Sequence, residues 1–179
     1  MRDSPSLLRS SFAMLLLFVL FAMTTCTALA QPVASPRPFG VWATGGGGTL
    51  RGDNTSVLGD VVGLHLQRGA MTVSLRRHSG SLNRMPTEAI SLVAGRASRS
   101  HGPLGAAISA GISHVRQRGY FDNQQDVERS ALGALIVGDL SLRQGDASGV
   151  GVGLTMFANA NGQRPFAGVQ VELLAGRWR

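Results

Sequence analysis

The residues with the most chemistry to offer are four histidines, His65, His78, His101 and His114, because a histidine beside a serine can activate it as a nucleophile. On a strand, residues two apart share a face. None of the four has a serine at that spacing. His101 has Arg99 there, with Ser98 and Ser100 out of step, and His114 follows Ile112 on its face. His65 with Ser74, on a neighbouring strand, is the one generic pairing left. The quadruple glycine Gly45, Gly46, Gly47, Gly48 is not a phosphate loop, since no Gly-Lys-Ser/Thr follows it. Arg51-Gly52-Asp53 reads as an ordinary flexible loop. The residues thus point away from catalysis, and they imply no metal and no cofactor.

A second set of polar residues falls on one face of alternating segments: His65, Gln67, Arg76, Asp139, Arg143, Gln170 and Glu172. If that face lines a narrow interior, charges of both signs must pair there, because an unpaired buried charge is costly. The expected pair is Arg76 with Glu172 or with Asp139. Such a network fills and plugs a lumen rather than conducting through it.

The elements that position these residues are strands. Period-two alternation recurs in eight segments of about ten residues, divided by Gly, Asn, Asp, Ser and Pro. The clearest are residues 106–113, with Ala106, Ile108, Ala110 and Ile112 on one face, and 149–159, where only Phe157 breaks the pattern. Segment 132–143 carries Leu135 and Val137 on its polar side, and 168–176 carries Leu174 there. Residues 62–67 and 71–76 alternate cleanly; 39–44 and 88–97 less so.

In a soluble sandwich the apolar face turns inward, and in a membrane barrel it turns outward. Three features favour the barrel. The second face is rich in Gly, Ser and Ala, which suit a cramped lumen. Segments near ten residues match a tilted strand crossing hydrocarbon. The links alternate in length: 45–56, 78–87 and 116–126 are long, whereas Arg68-Gly69, 98–102 and 144–147 are tight; 160–164 is short for its place. The expectation is a single all-β, antiparallel, up-and-down transmembrane barrel of about eight strands, with both termini in the periplasm and strand eight paired to strand one. Phe39 and Trp178 are expected near the periplasmic rim, and Tyr120, Phe121, Phe157 and Phe166 near the outer one.

The first thirty residues read as a cleavable signal peptide: Arg2 and Arg9, an apolar run over 12–23, then Ala28 and Ala30. The run is short for a spanning helix. Cys26, the only cysteine, lacks the usual residues of a lipid-attachment box before it and is expected to leave with the signal. The mature chain, 31–179, then has no cysteine for a disulfide. All 17 basic residues are arginine, and the net charge is +7. Without a clustered basic helix this argues against nucleic acid and for lipid phosphate at a membrane surface.

Three stretches carry a resemblance. They are Leu64-His65-Leu66-Gln67-Arg68-Gly69 running into Val73-Ser74-Leu75-Arg76-Arg77; Ser91-Leu92-Val93-Ala94-Gly95-Arg96-Ala97; and 151–161 followed by Pro165-Phe166-Ala167-Gly168-Val169 and Gly176-Arg177-Trp178-Arg179. Together they resemble a group of uncharacterised small bacterial outer-membrane β-barrel proteins. The resemblance implies a fold and a location and carries no functional residues.

Within that frame the arginines of the long links, Arg51, Arg84, Arg116 and Arg118, are candidate contacts for lipopolysaccharide phosphates, which a planar guanidinium suits. The expected partners are outer-membrane lipid, lipopolysaccharide and, during insertion, the barrel-assembly machinery. The leading expectation is a structural or surface-interaction barrel. The alternatives are a lipid-modifying hydrolase and a soluble periplasmic barrel that binds an apolar ligand.

Overall fold

The computed structural model describes residues 39–52, 55–82, 85–98, 103–121, 124–144, 148–162 and 164–178. The expected signal peptide, Cys26, Asp53, Arg84, His101 and the side chains of Tyr120 and Phe121 lie outside what is described.

Eight strands form one closed barrel: β1 (Phe39–Arg51), β2 (Ser56–Arg68), β3 (Met71–Leu82), β4 (Met85–Ala97), β5 (Leu104–Phe121), β6 (Gln124–Arg143), β7 (Ser148–Asn161) and β8 (Phe166–Arg177). Each pairs antiparallel with its sequence neighbour, and β8 pairs with β1. The register fixes the stagger. Partners followed once around the wall run Val41, Leu66, Val73, Ala94, Ala110, Ile136, Ala158, Ala167 and back to β1 at Arg51, not at Val41. A stagger of that kind makes the strands lean by roughly 40° from the barrel axis.

The outer surface is apolar around the whole circumference. Leu64, Leu75, Leu92, Ile112, Leu140, Leu154 and Leu173, one from each of β2 to β8, all point out and are exposed. Val41 and Ala43 continue the band on β1. At the end where the described chain begins and stops, the band ends at the outward Arg68, Arg96 and Arg177. At the far end it gives way to Arg51, Arg77, Glu88 and Arg116. The outward direction of the Val and Leu faces removes the apolar-ligand barrel, which needed those faces around a cavity.

The predicted long links are largely strand. Between β1 and β2 only 52–55 remain, between β3 and β4 only 83–84, and between β5 and β6 only 122–123. The length alternation that favoured the barrel is therefore absent, although the barrel is present. The reason is that pairing continues beyond the apolar band, where outward side chains need no hydrophobicity and the alternation signal fades. β5 and β6, with 18 and 20 residues, go furthest. β5 loses its β4 partner after Gln117 and β6 has no β7 partner before Gly133, so their tips project as a two-stranded hairpin. The tight links at the terminal end match the expectation. Gly69 opens the β2–β3 turn at φ 63°, the positive value a two-residue hairpin asks of its first central residue.

The glycine run, expected in a loop, lies inside β1. A Cβ on Gly46 or Gly48 would strike the β8 backbone at the carbonyls of Val171 and Val169. These glycines let the first strand approach the last closely enough to close the wall.

Candidate functional site

The inward positions divide the lumen into three layers. Nearest the termini, Trp42 and Trp178 are both buried, their rings 5.8 Å apart. The Arg143 guanidinium sits over both, 5.2 Å from the Trp42 ring and 5.0 Å from that of Trp178. Cations over indole faces in this range attract. Trp42 also stacks flat on His65, at 5.1 Å and an interplanar angle of 1°. Trp178 therefore plugs the lumen at this end, because the alternation of β8, with Leu174 inward and Arg177 outward, turns it inward. Phe39 is exposed at the terminal rim, as expected.

The middle layer is polar. Arg76 leaves β3 and crosses the lumen. Its Nη2 donates to Asp139 Oδ2 at 2.7 Å and its Nη1 to Glu172 Oε1 at 3.1 Å. Arg76 and Glu172 side chains are each 2% exposed, and Asp139 is 22% exposed. Thr155 Oγ1 donates to the other Asp139 oxygen at 2.7 Å. Both pairings read as alternatives from the sequence thus form at once, through one bridging guanidinium. His65 lies between Thr44 and Ser74, with Nε2 3.1 Å from Thr44 Oγ1 and Nδ1 2.8 Å from Ser74 Oγ. Gln67 donates from Nε2 to the carbonyl of Gly69 at 2.9 Å and so braces the turn. Above them His78, which the sequence reading placed in a loop, donates from Nδ1 to Gln170 Oε1 at 3.1 Å. Gln170 is fully buried.

The layer toward the far end is apolar. Leu50, Leu82, Ala89, Val93, Val115, Leu135, Val137, Phe157 and Phe166 form one buried cluster. Phe157 packs on His78 with ring centroids 4.3 Å apart, and on Phe166 at 6.1 Å. Phe157 and Phe166 were expected at the outer rim. They face inward because period two places them on the lumen side, where they fill space. Leu135, Val137 and Leu174, exceptions on a polar face by sequence, are lumen filling too.

The His65–Ser74 pair has the contact that hydrolysis requires but no room for a substrate. The cavity bordered by His65, Arg76, Asp139 and Arg143 is about 30 Å³, space for roughly one water. No carboxylate orients His65; its second nitrogen meets a threonine hydroxyl. The outward-facing His114 stands opposite Ile90 and Leu132 in the register.

Of the four arginines assigned to phosphate, Arg51 ends β1 and is exposed. Arg116 and Arg118 lie on β5, not in a loop, and both bind Glu128, at 2.6 Å and 3.1 Å. Sequence reasoning missed their neighbour Arg77, which pairs with Glu88 at 2.6 Å. The signal was available: Arg77 directly follows the inward Arg76, so it must point outward.

The fold and its filling define a class: small, closed, eight-stranded antiparallel barrels with an apolar outside and a packed inside. Solved structures of the same fold are the N-terminal β-barrel domain of Pseudomonas aeruginosa OprF, at 15% identity over 75% of this chain and 98% of that one with a TM-score of 0.56; Neisserial surface protein A, NspA, at 10% over 76% and 96% with 0.55; and Ail, the attachment invasion locus protein of Yersinia pestis, at 10% over 80% and 100% with 0.58. No family model and no curated protein matches the sequence. At these identities the likeness is one of fold.

Proposed function

We propose that this protein is an exported outer-membrane barrel that works as a sealed wall element and surface-interaction platform, without catalysis. The observation that carries the reading is the apolar band closed around a filled lumen. Water-soluble monomers rarely expose apolar patches beyond a few hundred Å², and a closed wall leaves no backbone group unpaired in lipid. In this reading residues 1–30 direct export and are removed, and the barrel-assembly machinery inserts residues 31–179. Both termini then face the periplasm, and the far end meets lipopolysaccharide through Arg51, Arg84, Arg116 and Arg118. Two of the structural neighbours are a surface protein and an attachment invasion locus protein, in keeping with a surface role.

The test is fractionation of cells making the full chain, followed by gel migration with and without boiling and by conductance in planar bilayers. Outer-membrane partition, a boiling-dependent shift and no channel steps are expected. A soluble protein would overturn the location, and steady channel conductance would overturn the seal.

A further inference from the structure

We propose that the outer wall carries a site for the phosphate ester of a membrane glycolipid, held by Arg77, Arg116 and Arg118 at the far margin of the apolar band. Four adjacent strands contribute. Arg77 on β3, Glu88 on β4, Arg116 and Arg118 on β5 and Glu128 on β6 surround an open depression of about 270 Å³, with Ser79, Thr87 and Gln117 also lining it.

The two glutamates hold the arginines without exhausting them. Glu88 takes Arg77 Nε. Glu128 takes Arg116 Nε and Nη2 and Arg118 Nη2. Arg77 Nη1 and Nη2, Arg116 Nη1, and Arg118 Nε and Nη1 meet no acceptor among the described residues. Three guanidinium groups meet two carboxylates in the depression, and a third carboxylate, Asp60, accepts from Ser79 Oγ at its edge at 2.6 Å. The spare N–H groups are fork donors of the kind that match phosphate oxygens. The carboxylates keep the long side chains ordered, so less conformational entropy is lost on binding.

Position selects a lipid as the source of the phosphate. Directly beneath the depression the wall presents Ile90, Leu92 and Ile112, all exposed. A headgroup seated among the arginines has its acyl chains on that surface. The site is one-sided: across the barrel the strands carry a single charge at the same margin, Arg51 on β1, beside Ala167 on β8 and Ala160 on β7.

This inference rests on the membrane reading above, and fractionation tests that reading separately. The site itself is tested by titrating lipid A into the purified full-length mature barrel in octyl glucoside micelles. The comparison is wild type against the triple variant R77Q/R116Q/R118Q, with the boiling shift as the check that each is folded. A surface arginine contributes on the order of fivefold in affinity for an anionic headgroup, so the triple variant should bind roughly a hundredfold more weakly. Arg96→Gln, exposed at the opposite margin of the band, should bind as wild type. If the triple variant does not fold, Arg77→Gln alone should still lose about fivefold. Folded variants that bind lipid A undiminished overturn the site, as does a wild-type membrane barrel that binds none. Inorganic phosphate that displaces lipid A at equal concentration overturns the lipid source, because it shows a site for free anion.

Discussion

The polar and apolar layers of the lumen fill the same narrow cylinder by opposite means. The layer around Arg76 is held by directional bonds: one guanidinium to two carboxylates, a threonine to one of them, a histidine between two hydroxyls. The layer around Phe157 is held by shape alone, nine apolar side chains in one cluster. His78 touches both, with a hydrogen bond to Gln170 and its ring on Phe157. The lesson is that a small closed barrel need not have a polar interior. It needs a full one, and the two fillings fail differently.

The largest effect separates them. Arg76→Met leaves Glu172 buried without a partner and should cost about 4 kcal/mol, read as a lower urea midpoint for loss of the boiling shift. Adding Glu172→Gln and Asp139→Asn should recover most of it, because neutral groups tolerate burial better than an orphaned charge. A single variant as stable as wild type would show that the pair is not a closed unit. Phe157→Ala should cost about 3 kcal/mol by opening a cavity, and no change of charge nearby should restore it. Recovery by a polar substitution would mean that water enters the layer and that it is not dry. The smallest effect concerns the exposed counterpart of the buried pair. Glu128, on the projecting hairpin beyond the band, is held below the usual glutamate range by hydrogen bonds from Arg118 and then Arg116. A lowered carboxyl pKa means that the clasp contributes fully above the ordinary glutamate pKa and is lost as pH falls through the lowered one. Glu128→Gln should abolish that acid-side change in hairpin amide exchange with little effect on barrel stability, as exposed ion pairs contribute little. An ordinary midpoint for Glu128 would remove the clasp.

How much of this was legible depends on what alternation records. It records sidedness, so His65, Gln67, Arg76, Gln170 and Glu172 could be assigned to one face and the eight strands counted. It does not record what the inner face holds. Leu135, Val137 and Phe157 looked like errors in a polar face because an apolar residue facing a lumen and one facing lipid have the same letter. The far strand ends were illegible for a related reason. Beyond the apolar band both faces of a strand are wet, and Arg116 to Arg118 carry no period to detect; Gly45 to Gly48, opposite Leu173 to Gln170 within the band, carry none because they have no side chains. The Arg77–Glu88 and Arg118–Glu128 contacts depend on register across strands, which a single strand's pattern does not contain.

The glycine seam bears on the order in which the chain is assembled. Seven of the pairings are hairpins between consecutive strands and can form as soon as both strands exist. The eighth joins Val41 to Arg177, from opposite ends of the described chain, and cannot begin until β8 has been made. Until then β1 presents one edge of bare N–H and C=O groups and the newest strand presents another, neither of which hydrocarbon can satisfy. In the membrane reading, entry into lipid is thereby tied to the synthesis of β8. By sparing Cβ atoms at Gly46 and Gly48, the first strand is kept ready for a partner that arrives last.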